Sequence, residues 1–224
     1  MKKLLELDAI SFAYSGAAPS LLDNVSMTLF EGERIGLLGD NGSGKSTLLH
    51  IAAGLITPTS GKVLYNGSVC ETEKNFVQAR RSLGYLLQNA EDQLFSPSIL
   101  EDVAFGLVNS GMNDKDAEAA AAEALELVGL EHLAYRSGAN LSGGEKKLAA
   151  LATVLVMKPR FLFLDEPTND LDSHARERLL GILLDCALPL IVISHNHSFL
   201  NRICTTRRLL RNGHIEKVEK EAGE

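Results

Sequence analysis

Eight residues, Gly39-Asp40-Asn41-Gly42-Ser43-Gly44-Lys45-Ser46, limit what this chain can fold into more than any other stretch. They have the form GxxxxGKS. An apolar run, RIGLLG at 34–39, leads into them, and the helix-like STLLHIAAGL follows. A chain passing from strand to helix through such a loop curls its backbone so that successive N–H groups point inward. Glycines permit the curl, and the helix start adds partial positive charge. The product is a cradle for phosphate groups. Asn41, Gly42, Ser43, Gly44 and Thr47 line it, Lys45 can reach β- and γ-phosphates, and the Ser46 hydroxyl can ligate Mg²⁺. A nucleotide with its metal is the expected ligand.

A nucleotide site needs a second group on the metal side. FLFLDEPTNDLD supplies it, because four apolar residues end at Asp165 and place a carboxylate at the C-terminal edge of a strand. Asp165 is the expected Mg²⁺ partner through water. Glu166 follows on the other side of the strand register, free to polarise an attacking water.

The rest of the chain reads as the frame for these two stretches. Runs at 34–39, 84–88, 161–165 and 188–194 are apolar on both faces, which predicts buried parallel strands. KVLYNGSV at 62–69 and RRLLRNGHIEKV at 207–218 predict hairpins, each turning at Asn-Gly. Asn113 to Val128 is alanine-rich with acidic residues near its start, and Gly129 ends it, so it reads as a helix. LSGGEKKLAALATVLVMKP opens another helix with the capping-box pair Ser142 and Glu145, limited at its far end by Pro159. With 224 residues there is enough chain for one large domain. The expected fold is α/β, a parallel core with early antiparallel strands and a helical insertion near 89–157.

Net charge is −7, which disfavours free nucleic acid as a partner. Cys70, Cys186 and Cys204 are far apart and odd in number, so a disulfide or zinc framework is not expected and a reducing compartment is. In MKKLLELDAI, Glu6 and Asp8 interrupt the apolar residues, so no signal peptide is read there. No run approaches the length of a membrane span.

LSGGEKK at 141–147 resembles the signature motif of the ATP-binding-cassette (ABC) ATPases. With GxxxxGKS, the Asp165-Glu166 pair, Asp172 and His195, it stands in that family's order, and the resemblance covers about residues 4–218. It implies a P-loop NTPase fold: a RecA-like parallel-sheet core, a small antiparallel β subdomain and a helical subdomain. It implies ATP and Mg²⁺ as ligands. Tyr14 matches the aromatic that stacks on adenine, and Gln88, ending the strand GYLLQ, matches the glutamine that senses Mg²⁺ and the attacking water. Asp172 matches the aspartate of the loop that crosses the dimer, and His195 the histidine that senses the γ-phosphate. His197 reads as a bystander. Ser142, Gly143 and Gly144 form an anion site at a helix start. In the family this site faces the phosphate loop of another copy, so an ATP-dependent head-to-tail dimer is expected, with itself or a paralogous ATPase. Two departures stand out. By the resemblance, Leu148 stands where arginine is common, so a salt bridge of the signature helix is not expected while nucleotide binding is, and Asn196 stands where aspartate is common.

QNAEDQLFSPSILEDVAFGL, from Gln88 to Leu107, resembles the energy-coupling-factor subgroup that powers cobalt, nickel and vitamin import. In the family this segment lies on the face that receives a short helix from an integral membrane subunit. The resemblance therefore implies a cytoplasmic protein, peripheral on the inner face of the cell membrane, that hydrolyses ATP for cobalt or nickel uptake. Alternatives are biotin-like vitamin uptake, a soluble ABC protein, or an efflux subunit sharing the same motifs. Many members of the subgroup carry a longer C-terminal extension than follows the hairpin at 207–218, so either a shorter variant of that extension or a dimer that leans more on ATP and the membrane partner is expected.

Overall fold

The computed structural model describes residues 1–14 and 20–218. In chain order the elements are β1 (Lys3–Phe12), β2 (Leu22–Phe30), β3 (Arg34–Leu38), α1 (Lys45–Ala52), β4 (Ser60–Tyr65), β5 (Ser68–Cys70), α2 (Glu73–Arg80), β6 (Leu83–Leu86), α3 (Ile99–Asn109), α4 (Asp114–Leu127), α5 (Gly143–Leu155), β7 (Phe161–Asp165), α6 (Ser173–Cys186), β8 (Leu190–Ile193), α7 (His197–Ile203), β9 (Thr206–Arg211) and β10 (His214–Val218). They divide between two compact units. The first holds Met1–Leu83, Phe161–Phe163 and the chain from Leu188 on. The second holds Gly84–Arg160 and Leu164–Ala187.

In the first unit, alternation of apolar and polar residues along β1 and β2 makes an antiparallel sheet in the order β2-β1-β4-β5, with Leu5, Leu7, Ile10, Val25 and Leu29 turned inward and fully buried. The predicted Asn-Gly turn joins β4 to β5: Asn66 and Gly67 both take positive φ, 50° and 81°. The uninterrupted apolar runs behave differently. β3 lies parallel to β8, Arg34 beside Leu190 through Leu37 beside Ile193, and parallel to β9 on its other side. All four residues of β8 are buried, as a strand covered on both faces requires. The second Asn-Gly pair, Asn212 and Gly213, turns β9 back into β10. The strand order continues β10-β9-β3-β8-β7-β6, so β7 leads out of the first unit and its last residues belong to the second.

The second unit is mainly helical. Asn113 caps α4 by accepting from Asp116 N–H at 3.0 Å, and Gly129 follows its end at φ 67°. Both halves of the capping box form at α5: Ser142 Oγ accepts from Glu145 N–H at 3.3 Å, and a Glu145 carboxylate oxygen accepts from Ser142 N–H at 2.7 Å. The small face of α4, Ala117 and Ala121, is fully buried and lets helices approach closely. Leu148 lies buried on α5 and serves the apolar packing of this unit.

One boundary differs from the sequence reading. The strand of GYLLQ stops at Leu86, and Gln88 lies two residues beyond it. The reason is the side chain of Gln93, which accepts from Leu87 N–H at 2.9 Å and donates to the Tyr85 carbonyl at 3.2 Å. It takes the backbone groups through which a neighbouring strand would continue the ladder. A further element went unread: α2, opened by a capping box between Thr72 and Asn75.

Candidate functional site

In the first unit the octapeptide loop leaves β3 and enters α1 as its sequence demands. Gly39 has φ 147°, and a Cβ there would meet the Leu210 carbonyl oxygen at 2.4 Å. Gly44 caps α1 at φ 100°, with a would-be Cβ at 3.0 Å from Leu21 and Leu22. Both positions need glycine for conformation and for space. The Lys45 ammonium folds back over the loop, donating to the carbonyls of Gly39 at 2.8 Å and Asp40 at 2.9 Å. Ser46 and Thr47 follow in the first turn of α1, and Tyr14 Oη lies 3.2 Å from Thr47 Oγ1. Tyr14 is 53% exposed, stands edge-on to Phe12, and lines a cavity of about 750 Å³ together with Asn41, Gly42, Ser43 and Arg211. An exposed ring in the wall of a cavity that Gly42 and Gly213 also line offers a flat apolar face to a base. His195, just past β8, brings Nε2 within 2.9 Å of Asn41 Oδ1, so the loop and the histidine meet directly. Asn196 caps α7 by accepting from Phe199 N–H at 2.9 Å, which is the task an aspartate there would also perform.

The second unit gathers the remaining predicted residues. Asp165 ends β7 buried, and among the described residues its Oδ1 has no hydrogen-bond partner. A buried carboxylate oxygen left open in this way suits a hard cation such as Mg²⁺, directly or through water. Glu166 is also buried and takes φ 47°, a left-handed backbone that a non-glycine residue adopts only where its surroundings enforce it. Asp172 caps α6, accepting from Ala175 N–H at 2.8 Å. At the start of α5, a Cβ on Gly144 would stand 3.1 Å from Ala175 Cβ, so the backbone there packs close against α6. Ser142 Oγ accepts within the capping box and keeps its own proton to donate. Gln88 is exposed, and its side chain makes no hydrogen bond among the described residues.

Lys147 escaped the sequence reading. It is buried at 3% exposure and donates to the carbonyls of Gln88 at 2.6 Å and Leu87 at 3.5 Å. Burial pushes its pKa down, and the carboxylates of Asp170, Asp165 and Glu166 oppose that push. Its neighbour Lys146 pairs with Glu91. A lysine inside a signature motif looks like surface charge in sequence, and no periodicity marks it as buried.

Residues 22–169 match the family model described as ABC transporter. The chain belongs to the ABC transporter family. It is an ATP-binding subunit of that family, and its activity is ATP hydrolysis. Over 91% of its length it is 50% identical to a putative ABC transporter ATP-binding protein of Nitratidesulfovibrio vulgaris, covering 74% of that protein. It is 36% identical to the energy-coupling factor transporter ATP-binding protein of Methanothermobacter thermautotrophicus, over 95% of this chain and 69% of that one. It is 40% identical to the cobalt import ATP-binding protein of Syntrophus aciditrophicus, over 86% and 70%. Among solved structures it superposes on cbiO1 of Clostridium perfringens, part of the cbiONQ ABC transporter complex, with TM-score 0.85, 31% identity and coverage of 96% and 88%. A dimeric ATP-binding cassette in a post-hydrolysis state, bound to ADP and Pi, gives TM-score 0.87, 27% identity and coverage of 99% and 100%.

Proposed function

We propose that this ABC ATPase energises a membrane importer of the energy-coupling-factor type and that its cargo is cobalt or nickel. The observation that carries the reading is a groove in the second unit. Phe105, Val108 and Tyr135 form apolar walls around a cavity of about 420 Å³, and Glu101, Asp114 and Glu118 supply an acidic rim. Phe95, 64% exposed, stands edge-on to Phe105. Large apolar residues left in water beside carboxylates suit an occupant that is apolar along one side and basic along the other. In this reading the occupant is a short cytoplasmic helix of an integral membrane subunit; among the described residues no helix is long and apolar enough to cross a membrane. The relatives named for cobalt import and for energy coupling support the same direction.

In this reading Tyr14 stacks on adenine, and Asn41 to Thr47 hold the phosphates, with Lys45 neutralising β- and γ-oxygens. Ser46 of the first unit, and Asp165 and Gln88 of the second, would hold Mg²⁺, which would supply charge neutralisation at the phosphates. Glu166 accepts the proton of the attacking water, Gln88 orients that water, and His195 contacts the γ-phosphate. Ser142, Gly143 and Gly144 meet the nucleotide held by another copy, and Asp172 lies in the loop that meets that copy. Two copies, or one copy and a paralogue, close on ATP and reopen after hydrolysis.

The test is purification from native membranes in mild detergent, with mass spectrometry of the proteins and metals that follow. Co-purification of a multi-span protein with cobalt or nickel is the expected result. A soluble dimer without membrane protein would end the importer reading, and a vitamin-binding companion in place of the metals would move the cargo to the vitamin class.

A further inference from the structure

The geometry around Gln88 assigns a task to Lys147: we infer that it is a positioning residue, fixing the Gln88 peptide so that the glutamine side chain is presented for the hydrolytic step. The inference rests on the role proposed above for Gln88. That side chain is exposed and makes no hydrogen bond of its own among the described residues, so it is the backbone that sets where the side chain starts and the direction in which its Cα–Cβ bond leaves. The backbone is held on both sides. Gln93 clamps the Tyr85 carbonyl and the Leu87 N–H before it, and Asn89 caps the following turn by accepting from Glu91 N–H at 3.2 Å. Between those two fixings, the tie on the Gln88 peptide itself is the Lys147 ammonium, 2.6 Å from its carbonyl oxygen.

A buried ammonium is a costly way to satisfy a carbonyl, since desolvating the charge opposes the fold. What the cost secures is a charge-assisted bond, shorter and stronger than a neutral one. It comes from the second turn of α5, the helix whose first residues follow Ser142. A helix moves as a rigid rod over so short a distance. Whatever engages Ser142, Gly143 and Gly144 is therefore tied through Lys147 to the peptide that aims Gln88.

The experiment compares steady-state ATP hydrolysis by the full chain with that of Lys147→Met, Lys147→Gln, Gln88→Ala and the Lys147→Met/Gln88→Ala pair. Lys147→Met keeps an unbranched apolar stem out to the ε position but has no ammonium and no donor. It should lower kcat about tenfold or more, the scale of a misplaced catalytic group, while KM for ATP stays within about twofold. Gln88→Ala should lower kcat by itself, and the double variant should be no slower than Gln88→Ala alone, as for two residues acting through one group. Lys147→Gln, which restores a neutral donor, should recover part of the lost kcat. The inference is overturned if Lys147→Met turns over at the wild-type rate, or if the two losses multiply in the double variant. A rise in KM with unchanged kcat would also overturn it. Wild-type turnover by Gln88→Ala would instead remove Gln88 from the mechanism, and the inference would fall with it. Melting temperatures are followed throughout. If Lys147→Met does not fold, the same cycle is run with Lys147→Arg, which keeps the charge but spreads its donors over a planar fork; multiplicative losses there overturn the inference equally.

Discussion

Lys45 lends its ammonium to the carbonyls of Gly39 and Asp40, which keeps a positive charge poised over the loop. Lys45→Ala should therefore weaken ATP binding about tenfold or more, the worth of a charge-assisted contact, measured by titration calorimetry or a fluorescent nucleotide. Glu166 gives the complementary prediction. Glu166→Gln keeps shape and burial but removes the proton acceptor, so hydrolysis should fall about a hundredfold or more while ATP binding persists. Rapid turnover by that variant would take Glu166 out of the role. These residues were legible in sequence because each belongs to a short pattern with a mechanism. Lys147 was not, because what matters about it is a distance to a carbonyl 59 positions earlier in the chain.

The capping box of α5 makes a helix-level prediction with a definite pH sense. The hydrogen bond from Ser142 N–H, helped by the Ser142 side chain, holds the Glu145 carboxyl below its ordinary value. A folded-state pKa lowered in this way adds stability that is present above the unfolded value. That stability is lost as pH falls through the lower folded value. Glu145→Gln should thus melt below wild type at neutral pH, and the gap should close as pH drops from about 4.3 downward. A gap independent of pH would mean that the charge contributes nothing. Ser142→Ala removes the other half of the box and should cost about 1 kcal/mol of stability, read from denaturant unfolding. Helix starts such as Asn113 and Ser142, and both Asn-Gly turns, stood in sequence where the structure has them, since caps and tight turns are set within four residues. The end of β6 did not. Gln93 decides it, and nothing in an apolar run says that a side chain seven residues past the strand's last residue will occupy its ladder.

Association is the property on which the function of the whole molecule turns. In Glu166→Gln, bound ATP should persist, so the variant should run as a dimer in sedimentation with Mg–ATP and as a monomer with ADP; a monomer under both conditions would remove the ATP-dependent dimer. Phe105→Glu, which puts a further carboxylate on the groove, should lose the membrane companion in the pull-down while ATP hydrolysis by the purified chain is retained, because the residue stands on the groove and not among the nucleotide residues. Sequence alone determined the parallel core, the glycine-rich loop between β3 and α1, the carboxylates at the end of β7 and the order of the family motifs. All of these are local patterns: a strand, a loop and a helix start each need only neighbouring residues of suitable size, polarity and backbone freedom. Only the tertiary structure decided that His195 meets Asn41, that an oxygen of Asp165 is buried without a partner among the described residues, and that Gln88 and Glu91 of QNAEDQLF are held by Lys147 and Lys146. Those facts depend on which distant segments share a boundary and on how much water is excluded there. Burial and approach over long sequence separations are properties of the packed chain, and no short stretch of it carries them.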